Sequence, residues 1–249
     1  MYHMTNKYMY FVANWKMFGN LKSLNTLNKV IKFSKSKEIK KGRLIYCPPY
    51  TLISSFLKKF ENCLIDIGAQ NCHESDLYGP HTGFINSRML KNIGANYVIL
   101  GHSENRKKGE TDKLINIKIK NAIKARLKVI FCIGETSSEK NKGKTKLILS
   151  KQIKLGLKNI KQKSNIFIAY EPVWSIGTGK IPKTRELVQI IKFIKDKFKG
   201  KLPKILYGGS VNTQNINDLK QISSLDGFLI GGASQNAKKF IDIVKKTYS

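Results

Sequence analysis

Eight short apolar runs recur along this chain, at 9–14, 43–47, 63–70, 97–101, 128–134, 165–170, 204–209 and 227–232. They are rich in Ile, Val, Tyr and Phe and alternate little, the pattern of strands buried on both faces in a parallel sheet. Lysine-rich segments with helical periodicity separate them. In 184–198, Leu187, Ile191, Ile194 and Phe198 form one stripe with lysines opposite, and Thr184 is placed to cap the helix start. Leu149, Ile153 and Leu157 form a second stripe. Parallel strands need such crossovers to return the chain to the same edge. No linker or low-complexity block breaks the alternation, so residues 1–249 read as a single α/β domain. Eight repeats favour a closed (β/α)8 barrel, eight parallel strands within an outer ring of helices, over an open doubly wound sheet. The open sheet would show a glycine fingerprint after its first strand, and ANWKMFGN has none.

Composition narrows the function classes. No 18-residue apolar run suggests a membrane span, and the opening MYHMTNKYMYFVAN lacks the pattern of a secretory signal. Cys47, Cys63, Cys72 and Cys132 form no C-x-x-C pair and fit reduced thiols, so a cytoplasmic location is expected. The formal charge is +30, from 46 basic and 16 acidic residues. Such a field suits a polyanion. Yet only five of the cations are arginines, and no aromatic stripe is interleaved with them, so no specific nucleic-acid partner is expected. Cys72, His73, Glu74, Asp76 and His81 match no structural zinc spacing, and Gly79-Pro80 interrupts them. They read as a polar protruding loop, and no metal is expected.

In a (β/α)8 barrel, chemistry gathers just past the C-terminal ends of the strands. Asn14 and Lys16 follow run one, His102, Ser103 and Glu104 run four, and Glu171 run six. Gly208-Gly209-Ser210 and Gly231-Gly232 end runs seven and eight, where glycine-rich turns let backbone N–H groups crowd a phosphate. Taken singly, each has a blander reading: a capping glutamate, a structural histidine, ordinary turns. Gly143-Lys144-Thr145 fails as a nucleotide loop because Ser138 stands where glycine is needed, and 177–182 ends in proline.

The motifs NWKM at 14–17, GHSE at 101–104, YEPVWSIGTGK at 170–180, YGGSV at 207–211 and GGAS at 231–234 occur in one order along essentially the whole chain. In this the chain resembles the triosephosphate isomerases. The resemblance implies the TIM barrel and a cofactor-free aldose–ketose isomerase of glycolysis and gluconeogenesis. It would interconvert dihydroxyacetone phosphate and D-glyceraldehyde 3-phosphate through an enediolate. It implies Glu171 as general base and His102 as a neutral electrophile held at a helix N terminus. Lys16 would be the ammonium at the oxyanion, Asn14 its positioning neighbour, and Glu104 a second acid beside it. Gly177, Ser210, Gly231 and Gly232 would offer N–H groups to the phosphate, which Asn14 and Lys16 also approach. Pro172, Val173 and Trp174 would be one hinge of a lid, and Lys180, Ile181 and Pro182 the other.

Three positions depart from the family pattern. Ser175 replaces a usual alanine. Phe84, after Thr82-Gly83, replaces a usual acid, and Asn105 after GHSE replaces a usual arginine. In the family those two charges pair across a dimer interface. The loop from Gln70 to Gly83 is also one residue longer than usual. A homodimer is still expected, docked through Thr82 and Phe84 with a less ionic contact. The readings left standing are the isomerase, a polyanion-binding protein, and a phosphate-binding barrel with another substrate.

Overall fold

The computed structural model describes residues 7–36, 39, 41–200 and 202–249. Residues 1–6, on which the reading of the N terminus partly rests, lie outside it. Eight parallel strands close into a barrel in sequence order. Strand β1 (Met9–Asn14) leads to α1 (Asn28–Ser34), β2 (Gly42–Cys47) to α2 (Ile53–Lys59), and β3 (Ile65–Ala69) to α3 (Ser87–Asn92). After β4 (Tyr97–Leu100) come α4 (Ser103–Lys107) and α5 (Asp112–Lys124); after β5 (Lys128–Ile133) come α6 (Ser137–Asn141) and α7 (Thr145–Gly156). Finally β6 (Ile166–Tyr170) precedes α8 (Thr184–Lys195), β7 (Lys204–Tyr207) precedes α9 (Ile216–Leu219), and β8 (Gly227–Ile230) precedes α10 (Ala237–Tyr248). Each of the eight apolar runs coincides with a strand, β2 starting one residue ahead of its run at Gly42, and β1 pairs with both β2 and β8, which closes the sheet.

The weak alternation has a direct cause: both faces of each strand are dry. Val12, Ile45, Cys47, Tyr97, Ile99, Ile130, Cys132, Phe167, Ala169, Leu206 and Leu229 pack together as one cluster, the filling of the barrel. The alternate residues, Phe11, Leu44, Tyr46, Phe131 and Tyr207 among them, belong to a second cluster shared with the helices. Leu187, Ile191 and Ile194 of α8 are buried there as their spacing predicts, as are Leu149 and Ile153 of α7. Phe198 is buried too, but beyond the last turn of α8. The cap expected at Thr184 is corrected. Lys183 is the N-cap, with φ −56° and ψ 141°, and its carbonyl accepts the Leu187 N–H at 3.0 Å. Thr184 is therefore already helical, and no side chain caps this end.

Tyr46 lies in the outer layer, its ring 5.2 Å from Phe240 and 5.3 Å from Phe60. Burial pushes its phenol far above the ordinary value, and the hydroxyl meets no hydrogen-bond partner among the described residues. An unpaired buried hydroxyl costs about 1 kcal/mol or more. Tyr46→Phe should therefore raise stability by about 1 kcal/mol in a denaturant melt; a lower midpoint would contradict it.

Candidate active site

The chemistry-bearing strand ends meet at one end of the barrel. Asn14, Lys16, His102, Glu171, Gly177, Ser210, Gly231 and Gly232 all line a cavity of about 460 Å³. Residues as far apart in sequence as Asn14 and Gly232 meet there because consecutive strands bring each C-terminal end to the same rim.

Lys16 stands two residues past β1 in a left-handed conformation, φ 56°. A side chain held there stores strain on the order of 1 kcal/mol and persists only when its surroundings fix it. They do: Gln70 Nε2 donates to the Lys16 carbonyl at 2.8 Å, and the Lys16 N–H donates to Asn14 Oδ1 at 3.1 Å. The ammonium is 2.6 Å from Glu104 Oε1. Burial raises the Glu104 pKa, but the Lys16 hydrogen bond and neighbouring positive charge outweigh it, leaving the carboxyl below its ordinary value.

His102 is the N-cap of α4 and is buried. Its Nδ1 accepts the Glu104 N–H at 3.2 Å, so the network assigns the ring proton to Nε2. That nitrogen is 3.4 Å from Glu171 Oε1. Glu171, 2% exposed, directly follows β6; its Oε2 accepts the Ser103 N–H at 3.4 Å. The Cys132 thiol lies beneath it, and burial first, then the Glu171 charge, push that thiol well above its ordinary pKa. The main chain is equally constrained. A Cβ at Gly134 would fall 1.7 Å from the Glu171 carbonyl oxygen, so only glycine fits.

Beyond Glu171 the chain is gripped by an acid that motif reading missed. Glu135 takes the Trp174 indole N–H at 2.9 Å and the Tyr170 hydroxyl at 3.2 Å, and its carbonyl accepts the Val173 N–H at 3.0 Å. Burial raises its pKa. The Lys140 ammonium sits 3.8 Å over the Trp174 ring. Pro172 is buried, whereas residues 177–180 are exposed and Gly177 and Gly179 adopt φ 73° and 78°. At the far end Lys180 is exposed, Ile181 packs against the core, and Pro182 is buried.

Glu104 lies outside the first cavity and lines an adjoining one of about 710 Å³, which also contains Asn14, Lys16 and His102. Phe84 and Asn105 line it as well. Phe84 is 62% exposed, and Thr82 is exposed beside it. The loop leading there is exposed throughout 77–84, while at its base Cys72 is buried and the His73 ring lies 4.8 Å from Phe84. Among the described residues no group of three or more His, Cys, Asp or Glu is arranged to hold a metal.

A family model described as triosephosphate isomerase matches residues 9–247. The chain belongs to the triosephosphate isomerase family. Its relatives include the triosephosphate isomerase of Wolbachia pipientis wMel, 40% identical over 239 residues, covering 94% of this chain and 92% of that protein. That of Dictyoglomus turgidum is 39% identical over 243 residues, covering 94% and 97%. The crystal structure of triosephosphate isomerase from Bartonella henselae superposes with TM-score 0.86 at 35% identity, covering 95% of this chain and 97% of that one. Within this family frame, the residues that motif reading overlooked are supports. Gln70 also reaches the Cys47 carbonyl at 2.9 Å, and Gln235 donates to the Trp15 carbonyl at 3.1 Å, so both sides of the Lys16 turn are braced. Lys239, from the first turn of α10, also lines the first cavity. One signal for Glu135 was available: Thr136 and Glu139 form a capping box that starts α6, which puts residue 135 in the short turn after β5.

Proposed function

We infer that this chain interconverts dihydroxyacetone phosphate and D-glyceraldehyde 3-phosphate, the isomerase step of glycolysis and gluconeogenesis. The observation that carries the reading is the meeting of the Glu171 carboxylate, the His102 Nε2–H and the Lys16 ammonium in one cavity. Glu171 takes a proton from the carbon beside the substrate carbonyl. The electron pair left behind forms the enediolate, and the same proton returns to the neighbouring carbon. His102 Nε2–H hydrogen-bonds the oxygens where charge develops, and Lys16 stabilises the same charge and the phosphate. Asn14 orients Lys16, Glu104 holds its ammonium between turnovers, and the N–H groups of Gly177, Ser210, Gly231 and Gly232 hold the phosphate. Electrons move only within the substrate, so the reaction needs no cofactor.

Closure of the segment between the two hinges excludes water, which otherwise promotes loss of phosphate from the enediolate. A coupled assay tests the reading: turnover should require Glu171, and millimolar inorganic phosphate should compete with substrate. A protein that only binds polyanions would show salt-dependent DNA retention indifferent to Glu171.

The assembly belongs to the same proposal. Met17 is 99% exposed, Tyr50 41% and Phe84 62%, and all three line the second cavity. A second copy of this chain, docking its own Thr82–Phe84 loop there, would cover them. Sedimentation at micromolar concentration should show one species of twice the 28.3 kDa chain mass; a fully active monomer would overturn this. No helix among the described residues is long and apolar enough to cross a membrane. A cytoplasmic location is proposed, supported by four free cysteines, three of them buried.

A further inference from the structure

Ser175 is completely buried directly after the Trp174 hinge. Its hydroxyl lies 2.6 Å from the Lys180 carbonyl, 3.1 Å from the Tyr207 hydroxyl and 3.2 Å from the Ser210 backbone nitrogen. A serine hydroxyl has one proton and two lone pairs. The carbonyl can only accept, so the Ser175 proton goes to Lys180. Both lone pairs are then filled, one by the Tyr207 hydroxyl proton and one by the Ser210 N–H. A single oxygen thus ties the first hinge to the second, to the end of β7, and to the turn that faces the phosphate.

The position matters for two reasons. The Ser210 N–H is one of the donors attributed above to the phosphate, and here it is already engaged. The lid stem is also pinned from within, because the Ser175 carbonyl accepts both the N–H and the hydroxyl of Thr178, at 3.2 and 2.9 Å. The exposed tip at 177–179 therefore hangs from a stem whose buried Ser175 hydroxyl is fully engaged in this arrangement. Moving the tip over the cavity and giving the Ser210 N–H to a phosphate disturbs that saturated centre.

We propose that Ser175 is a positioning residue whose hydroxyl latches the lid stem in its present place and withholds the Ser210 N–H until phosphate displaces it. The latch weakens phosphate binding and hastens product release, acting through Lys180 and Ser210 without touching the reacting carbons. Alanine at this position leaves the lid without that bond.

The proposal rests on the active-site reading, and the test separates the two. The chain has two tryptophans, Trp15 and Trp174. The indole N–H of Trp174 reports the hinge, whereas that of Trp15 donates to the Ser234 carbonyl at 3.1 Å and reports the turn at Gly231-Gly232. Inorganic phosphate is titrated into the parent and into Ser175→Ala while both indole resonances are followed by NMR. The variant should reach the phosphate-bound Trp174 position at about fivefold lower phosphate, the weight of one net hydrogen bond. KM and kcat should fall together in the variant, and Ser175→Thr, which keeps the hydroxyl, should return both toward the parent values. An unchanged or higher phosphate midpoint in Ser175→Ala overturns the latch, even if its melting temperature drops. Failure of phosphate to move Trp174 in the parent overturns instead the assignment of this cavity as the phosphate site.

Discussion

Glu171→Asp should lower kcat about 10²-fold while leaving KM within a few-fold of the parent, because a shift of about 1 Å in a reacting group costs that much. The charge and general-base chemistry survive in this variant; only the reach changes. The structure offers the shortened side chain no compensating movement. The Glu171 main chain is wedged against Gly134, and its N–H donates to the Ile133 carbonyl at 2.8 Å. Glu171→Gln removes the base altogether and should cost roughly 10³-fold, within the usual range for a positioned general base. Steady-state kinetics in both directions decides the matter, and near-parental turnover in either variant removes Glu171 from the mechanism. Stability should change little in Glu171→Gln, since the contacts of the carboxylate are long: 3.4 Å from the Ser103 N–H to Oε2 and 3.4 Å from His102 Nε2 to Oε1.

Lys16→Met should lower kcat/KM about 10³-fold, the scale seen when a donor aimed at developing negative charge is removed. Unlike the Glu171 variants, it should also raise KM, because the same ammonium serves the phosphate. A complementary variant separates chemistry from strain. Lys16→Gly deletes the side chain and also relieves the left-handed backbone at φ 56°. It should be as inactive as Lys16→Met yet melt at the same or a higher temperature. The ion pair it loses, to the 52%-exposed Glu104 side chain, contributes little in water. A clear loss of stability in Lys16→Gly would mean that the turn is held by the side chain and not imposed on it.

The barrel was legible because its signal is local. Each strand announces itself within about six residues, and burial on both faces removes the polar alternation that would have pointed elsewhere. The strand-end groups were legible for a related reason: β4 ends one residue before Gly101-His102, and β6 ends at Tyr170, immediately before Glu171. What stayed hidden was pairing across the rim. Nothing near Glu135 in the chain shows that it will hold a tryptophan 39 positions away. Nothing near Gln70 shows that its amide will brace residue 16. Ser175 reads as a minor change from alanine until Lys180, Tyr207 and Ser210 are seen around its oxygen. Thr184 shows the opposite error: a good capping residue sits next to the true cap, and the extended backbone of Lys183 decides the boundary.

The contact between Gly134 and the Glu171 carbonyl bears on how such a sequence can change over time. Lysines crowd the exposed helix faces of a chain whose formal charge is +30. At position 134 no such room exists, because even one methyl group would collide with the Glu171 peptide. Under the proposed mechanism, substitution can thus repaint the periphery while a spot with no room for a single added atom keeps the general base in register.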